Sequence, residues 1–469
     1  MYELTIALDA KSKKPLYEQI YDHIKGEMLK GRMRPGERLP STRVLSRYLQ
    51  VSRSTVNLAY EQLLAEGYLE SIPCKGYYVS NLELFEEVQE QDDGSLSKPE
   101  ESRESILYDF ALNGIDEDGF PVNQWRKISK KILDWEESSL FQLGDSAGEW
   151  GVRDAITQYI YRSRGVLCSP NQIIIGAGND YLLMLLHVIL KHNTVVAMEN
   201  PTYKSAYETF QCLGFSVKGI SMDTMGMQVD ELEQSEASVA YVMPSHQFPM
   251  GYVMPVKRRL QLLNWAAKSE NRYIIEDDYD SEFRYKGKPI PALQGLDRKD
   301  KVIYLGTFSK SIAPAIRFSY MVLPKSLKEK WDDVKKAFSV TISKVDQRIM
   351  QEFIENGTYE RHLNRMRNRY RTKRDLMLSC MKKWQFPYVI TGEDAGVHMV
   401  LHLPGAGKEQ EIVERAGKHK ILVYGLSNYY IRKSQQNQET VLLIGYATLR
   451  EADIPAAMKM LGEVIENKL

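Results

Sequence analysis

Apolar residues recur at helical spacing near the start of the chain and predict three short amphipathic helices. Ile20, Ile24 and Met28 share one face of the first helix, and Ser41 is a suitable N-cap for the second. The third helix covers residues 53–65, with an inward face that consists of Val56, Ala59, Tyr60 and Leu63. Residues 68–72 and 76–79 then form two short strands joined by a turn. Three helices followed by a hairpin indicate a winged helix-turn-helix unit.

Short β-rich runs alternate with helical patterns from residue 107 onward. The strand-like runs are residues 173–175, 194–198, 238–242, 273–275 and 301–305. The longest apolar stretch, from Tyr181 to Leu190, indicates a core helix. This alternation predicts an α/β domain with a largely parallel sheet.

An acidic stretch separates the two patterns. Residues 83–104 hold nine Asp or Glu against Lys98 and Arg103, and they lack an apolar face. We interpret them as a linker, with a charged surface helix as the alternative. The predicted organisation is a DNA-binding domain over residues 1–80, a linker over 81–106 and an effector domain over 107–469.

Composition narrows the class of protein. The 469 residues are 43% hydrophobic and 26% charged with zero formal net charge, so any DNA contact must come from a local patch. The four cysteines are scattered, which argues against a zinc site or a disulfide framework, and no metal is expected. No apolar run reaches about 18 residues, so we expect a cytoplasmic protein without a membrane span.

The residues around Lys310 have the chemistry of a pyridoxal phosphate site. A reactive amine can form a Schiff base, and Thr307, Ser309 and Arg317 can hold a phosphate. Asp277 ends a buried strand, where a carboxylate can keep a pyridine nitrogen protonated. The glycine-rich turn at residues 176–180 opens a helix after a strand, and its free N–H groups suit an anion.

Two short motifs give the N-terminal unit a family resemblance. Residues 34–43 and 51–56 resemble the GntR class of winged helix-turn-helix regulators, and the resemblance covers nearly all of residues 15–80. The start of the third helix would enter the major groove, and the hairpin tip would meet the minor groove. Candidate DNA-binding residues are Arg34, Arg43, Ser52, Arg53, Ser54, Thr55, Lys75 and Gly76.

The α/β region resembles the fold-type I aminotransferases across nearly its whole length. The resemblance implies that Lys310 bonds the cofactor, Asp277 pairs with the pyridinium and Tyr203 stacks on the ring. Tyr279 would bond the ring's O3′, and Arg317 would clamp the phosphate. The candidate cofactor-binding residues are Lys310, Asp277, Tyr279, Tyr203, Ala177, Gly178, Asn179, Thr307, Ser309, Arg317 and His246.

The joined architecture resembles the MocR/GabR regulator family. That family implies a cytoplasmic bacterial transcription factor that binds operator DNA as a head-to-tail homodimer. RNA polymerase is a further candidate partner. The effector would be pyridoxal phosphate itself or an amine-containing metabolite, sensed through the Schiff base at Lys310.

The sequence departs from aminotransferase enzymes at three places. Leu443 stands where enzymes hold the substrate carboxylate with an arginine, and Arg432 lies nearby in sequence. Phe248 stands in place of an asparagine, and Leu143 replaces a tyrosine that reaches the phosphate in many dimers. These departures favour a sensor without certain catalytic residues over the alternative, an active aminotransferase with an accessory DNA-binding module.

Overall fold

The computed structural model describes residues 6–9, 12–81, 106–134, 138–190, 193–431 and 439–467. The chain divides into two compact units, Met1–Ser102 and Arg103–Leu469. The predicted acidic linker falls almost wholly on residues 82–105, which lie outside the described residues.

Three helices and a hairpin form the first unit, as predicted. They are α1 (Leu16–Leu29), α2 (Thr42–Tyr48), α3 (Arg53–Ala65), β1 (Leu69–Ile72) and β2 (Gly76–Val79). The inward residues predicted for α3 are all buried in one core with Ile20 and Ile24. Ser41 and Ser52 cap α2 and α3 by accepting from the N–H of Val44 and Thr55. Val44 is itself 55% exposed, because the buried side of this two-turn helix is formed by Leu45.

The second unit alternates strands and helices along the chain. Its strands are β3 (Tyr108–Asp109), β4 (Ile173–Gly176), β5 (Val195–Asn200), β6 (Ser216–Asp223), β7 (Gly226–Met227), β8 (Val239–Val242), β9 (Tyr273–Asp278), β10 (Val302–Thr307), β11 (Ser319–Val322), β12 (Val389–Thr391), β13 (His398–Leu403), β14 (Ile421–Leu422), β15 (Tyr424–Gly425) and β16 (Thr440–Gly445). Its helices are α4 (Val122–Leu133), α5 (Trp150–Arg164), α6 (Asn179–Ile189), α7 (Lys204–Cys212), α8 (Val229–Gln234), α9 (Val256–Ala267), α10 (Lys325–Val334), α11 (Lys344–Glu355), α12 (Thr358–Met381), α13 (Glu409–Lys418) and α14 (Ile454–Ile465).

An eight-stranded sheet organises this unit, in the order β4-β11-β10-β9-β8-β5-β6-β7. The five strands from β10 to β6 are parallel, whereas β11 and β7 run antiparallel to their neighbours. The predicted largely parallel sheet is therefore confirmed. Because parallel strands end at the same edge, the residues that follow β5, β8, β9 and β10 lie together there.

A second sheet, in the order β12-β13-β16-β15, packs with α12, α13 and α14 around a separate core. β3 pairs with β14, which joins the first described residues of the unit to this region. Within the described ranges, no helix is both long and apolar enough to cross a bilayer. The same ranges hold no cluster of three or more side chains suited to a metal ion.

Candidate functional site

A cavity of about 430 Å³ lies at the edge where the parallel strands end. It brings together nine of the eleven predicted cofactor residues from distant parts of the chain. These nine are Gly178, Asn179, Tyr203, Asp277, Tyr279, Thr307, Ser309, Lys310 and Arg317. Ala177 and His246 do not line the cavity, and each contacts a residue that does.

One end of the cavity is built to hold an anion. Gly178 caps α6 with a φ of 102°, and a Cβ there would lie 1.9 Å from the Arg317 guanidinium. Arg317 donates to the carbonyl of Ala177 at 3.2 Å and pairs with Asp180. Thr307 Oγ1 accepts from the N–H of Ser309 at 3.1 Å. A helix N-terminus, hydroxyl groups and a guanidinium fit a phosphate.

The amine of Lys310 lies in the same cavity. Its Nζ donates to the carbonyl oxygen of Leu112 at 3.0 Å and to Oδ1 of Asn113 at 3.2 Å. Burial lowers the pKa of Lys310 to about 8, although the carboxylate of Asp280 opposes that shift. A lysine with this pKa is partly neutral near physiological pH and can therefore act as a nucleophile.

Asp277 is the penultimate residue of β9, and its carboxyl group is buried. Burial raises its pKa to about 7, while hydrogen bonds from Tyr241 and Asn179 oppose the shift. The Tyr241 hydroxyl donates to Oδ2, and Asn179 donates to Oδ1 at 3.3 Å. A cationic ring nitrogen placed here would favour the ionised carboxylate, so the position fits a pyridinium.

His246 lies behind Tyr279. The hydroxyl of Tyr279 is 2.9 Å from His246 Nδ1, and the same nitrogen is 2.9 Å from a carboxylate oxygen of Asp280. The rings of Tyr279 and His246 stack with their centroids 5.9 Å apart. His246 can therefore influence the cavity through Tyr279, in contrast to the direct cofactor contact that the sequence predicts.

Part of the cavity lining is aromatic. Phe248 contacts the rings of Tyr203, Tyr279 and Tyr429 at centroid distances of 5.4, 6.1 and 5.5 Å. Leu443 is fully buried on β16, opposite Val400, and does not line the cavity. Among the described residues, the cationic side chains that line it are Lys310 and Arg317.

The remaining departure from the aminotransferase enzymes, at Leu143, lies outside the cavity. Leu143 is 89% exposed, and Phe141 beside it is 79% exposed. Arg432 lies outside the described residues, which end at 431 before resuming at 439.

The predicted DNA-binding residues lie at the start of α3, on α2, at the hairpin tip and, for Arg34, in the loop between α1 and α2. The hydroxyl of Ser52 is 2.7 Å from those of Ser54 and Thr55. Arg53 and Arg43 are exposed, and Lys75 and Gly76 form the tip with φ of 114° at the glycine. Within the described part of this unit, no carboxylate lies within 4.0 Å of the guanidinium groups of Arg34, Arg43 or Arg53. The Glu37 carboxylate accepts instead from the main-chain N–H of Arg34 at 3.1 Å. These guanidinium groups are therefore available to phosphates or base edges.

Sequence patterns gave no signal for several residues of the cavity, among them Tyr241 and Asn113. Tyr241 lies inside an apolar strand that predicts only core packing, and the β8–β9 pairing brings it beside Asp277. Asn113 follows Leu112 in a short segment without a motif. Only the tertiary fold places these side chains next to Asp277 and Lys310.

Two families match this chain. The aminotransferase class I and II family matches residues 108–461, and the gntR family of bacterial regulatory proteins matches residues 16–79. These matches confirm the predicted winged helix-turn-helix followed by an aminotransferase-like domain.

Named relatives match nearly the whole length of this chain. The uncharacterized HTH-type transcriptional regulator YhdI of Bacillus subtilis (strain 168) is 40% identical over 98% of this chain and 97% of its own. The probable rhizopine catabolism regulatory protein MocR of Rhizobium meliloti is 29% identical over 95% and 94%. Among solved structures, Pyrococcus horikoshii kynurenine aminotransferase in complex with PMP has a TM-score of 0.70 and 26% identity, covering 78% of this chain and 92% of that chain.

Proposed function

Because this chain belongs to the MocR-type transcriptional regulators, with a gntR-family domain before an aminotransferase class I and II domain, we propose that it senses pyridoxal phosphate or an amine-containing metabolite at Lys310. Residues 1–80 bind operator DNA, residues 81–106 connect the two domains, and residues 107–469 bind the effector. The observation that carries the proposal is the convergence of Lys310, Asp277 and an anion cradle in one cavity.

Different residues of the cavity would bind different parts of the cofactor. Pyridoxal phosphate supplies an aldehyde and an electron-withdrawing ring when it is bound. The turn at residues 177–179 would hold the phosphate with Thr307, Ser309 and Arg317. Asp277 would pair with the ring nitrogen. Tyr203 would stack on the ring, and Tyr279, which His246 orients, would donate to its O3′.

The charge of the cavity restricts the effector. A carboxylate needs a cationic partner, and Arg317 is already committed to the phosphate end. The buried Leu443 offers no charge in place of the enzymes' arginine. The preferred effector is therefore the cofactor itself or an amine whose acid group binds elsewhere.

The first unit reads DNA as part of a dimer. Arg53 at the start of α3 contacts a base in the major groove, whereas Arg43 contacts the phosphate backbone. One small domain has a limited reading surface, so a homodimer on two half-sites is proposed. The exposed Phe141 and Leu143 support the presence of an interface on the second unit.

An active aminotransferase is the second candidate function. Its support is the similarity to kynurenine aminotransferase over 78% of the chain. Among the described lining residues, Arg317 is the sole arginine, and its assignment to the phosphate argues against efficient turnover of α-amino acids. An absorbance shift without release of a keto acid would favour sensing, and catalytic release would favour the enzyme.

Mobility shift and footprinting on the DNA upstream of the protein's own gene test the proposal. Wild-type protein would be compared without cofactor, with pyridoxal phosphate, and with cofactor plus candidate amines. We expect the affinity or footprint to change between these states. Lys310→Ala should lose that response, and the exposed control Lys325→Ala should retain it. An identical footprint in all states of the wild-type protein would contradict sensing.

A further inference from the structure

Lys310 is held by a segment that comes from outside the eight-stranded sheet. Residues 107–116, here termed the arm, include β3 and open the second unit. The side chain of Asn113 lines the cavity, and Leu112 is 3% exposed. Both oxygens that accept from Lys310 Nζ, at 3.0 and 3.2 Å, therefore belong to the arm.

The arm is fixed on both sides of these two residues. On one side, the carbonyl of Phe110 accepts from the N–H of Gly445 at 3.0 Å. On the other, Asp116 pairs with Arg369 and Lys373 of α12 at 2.8 and 2.9 Å. Between these anchors, the polar atoms of residues 112 and 113 are held near the reacting amine.

We propose that Asn113 and the main-chain carbonyl of Leu112 are positioning groups that hold the free amine of Lys310, release it when it bonds the cofactor, and recapture it when an external amine takes its place. This inference rests on the proposed function, and it adds a regulatory role for the arm.

When lysine and an external amine exchange places on the aldehyde carbon, the two hydrogen bonds from Lys310 Nζ must break and can then form again. A neutral lysine amine has two N–H groups, which suffice for the two acceptors. When its nitrogen forms a double bond to the aldehyde carbon, the aldehyde oxygen leaves as water with both of those hydrogens. Nζ can then no longer donate to both Leu112 and Asn113. When an external primary amine replaces lysine on that carbon, its two hydrogens pass to Nζ, and both hydrogen bonds can form again.

Several groups surround the amine besides the arm. Asp280 raises the pKa of the Lys310 amine, and Lys310 contributes to the lowered pKa of His398 on β13. The other titratable groups that line the cavity are Asp180, Tyr203, Tyr241, Asp277, Tyr279 and Arg317. Asn113 is uncharged and in direct contact with Nζ, so a carboxylate at its position would change the charge nearest the amine.

The pH dependence of adduct formation tests the contact. Full-length wild type, Asn113→Asp and Asn113→Ala would be mixed with pyridoxal phosphate, and the adduct would be fixed with borohydride and quantified by mass. Asn113→Asp should raise the pH of the half-maximal rate by about one unit or more, because a carboxylate stabilises the ammonium form. Asn113→Ala should lower it by a smaller amount. The exposed control Glu117→Gln should match the wild type.

Coincident pH profiles for the wild type and both Asn113 variants would overturn the inference while leaving the proposed function intact. Failure of the wild type to form any adduct would instead overturn the proposed function. If the variants do not fold, hydrogen exchange of residues 107–116 in the wild type provides the second test. An added amine should slow exchange in untreated holoprotein but not after borohydride fixes Lys310. Equal responses in the two samples would also overturn the inference.

Discussion

The two units of this protein use charge in opposite ways. The candidate DNA-binding residues Arg43 and Arg53 are exposed, without a carboxylate within 4.0 Å in the described part of their unit. Asp277 and the amine of Lys310 lie in a cavity where burial is the largest cause of their pKa shifts. A surface that reads DNA needs its charges in solvent, whereas a cofactor site needs groups whose protonation the protein controls.

The contrast extends to carboxyl groups outside the candidate sites. In the first unit, hydrogen bonds from Tyr21, Gln62 and Lys25 lower the pKa of Glu66 to about 2. In the second unit, burial raises the pKa of Glu199 and Glu276 to about 7. The pKa of a glutamate is therefore set mainly by hydrogen-bond partners at the surface and mainly by desolvation in the interior.

Replacing Lys310 should give the largest effect, and it should show that cofactor attachment in the second unit can be lost while DNA binding by the first unit remains. Lys310→Ala should abolish the borohydride-trapped adduct, because no other lysine lines the cavity among the described residues. Mass spectrometry of reduced wild type and variant would locate the adduct. Binding of operator DNA in the absence of cofactor should remain. An adduct that persists on another lysine would refute the assignment.

A buried carboxyl should make the second unit's stability depend on pH. Glu199 is 1% exposed, and its pKa rises from 4.5 to about 7 on folding. Between these values the native state retains a proton that the unfolded state releases, so stability falls as pH rises. At pH values above the pKa of Glu199 in the folded protein, the free energy of unfolding has fallen by up to about 3 kcal/mol.

Glu199→Gln cannot ionise, and its carbonyl can keep the 3.1 Å hydrogen bond from the Met227 N–H. Its free energy of unfolding relative to wild type should therefore increase between pH 4.5 and pH 7.5. Urea unfolding at both pH values would measure the difference. A constant difference between variant and wild type would show that this carboxyl does not ionise as expected.

The sequence predicted every element of the first unit, five strands of the second unit's large sheet and nine of the nineteen residues that line the cavity. Helical periodicity located α3, and β-rich runs located β9 and β10. The parallel strand ends explain why Asp277 and Thr307 line the same cavity. Their assignment to the cofactor remains a prediction. The arm could not be predicted, because Asn113 reaches Lys310 across almost two hundred positions and belongs to no periodic pattern. The sequence predicts His246 as a cofactor residue, but in the structure it contacts Tyr279, which lines the cavity, and does not line the cavity itself.

Removing the carboxyl group of Asp277 should weaken cofactor binding without unfolding the protein. Asp277→Ala removes a charge-assisted hydrogen bond, which should cost roughly 1.5–3 kcal/mol of cofactor binding. Titration of the apoprotein followed by absorbance would give the dissociation constant, and circular dichroism would verify the fold. Replacement of the exposed Asp333 by alanine serves as a control for general loss of charge. Unchanged cofactor affinity in Asp277→Ala would reject the pyridinium role.

Two arginines of the first unit should separate sequence reading from general attraction to DNA. If Arg53 contacts a base, Arg53→Ala should cost roughly 1–3 kcal/mol and relax specificity at one position. If Arg43 contacts only phosphate, Arg43→Ala should weaken all sequences alike and lower the salt slope by about one unit. Binding measured over a salt series on operator and scrambled DNA distinguishes these effects. Neither variant should alter the cofactor spectrum, because both side chains lie outside the unit that holds Lys310. Wild-type footprints and salt slopes in both variants would refute the assignment of α3 to the major groove.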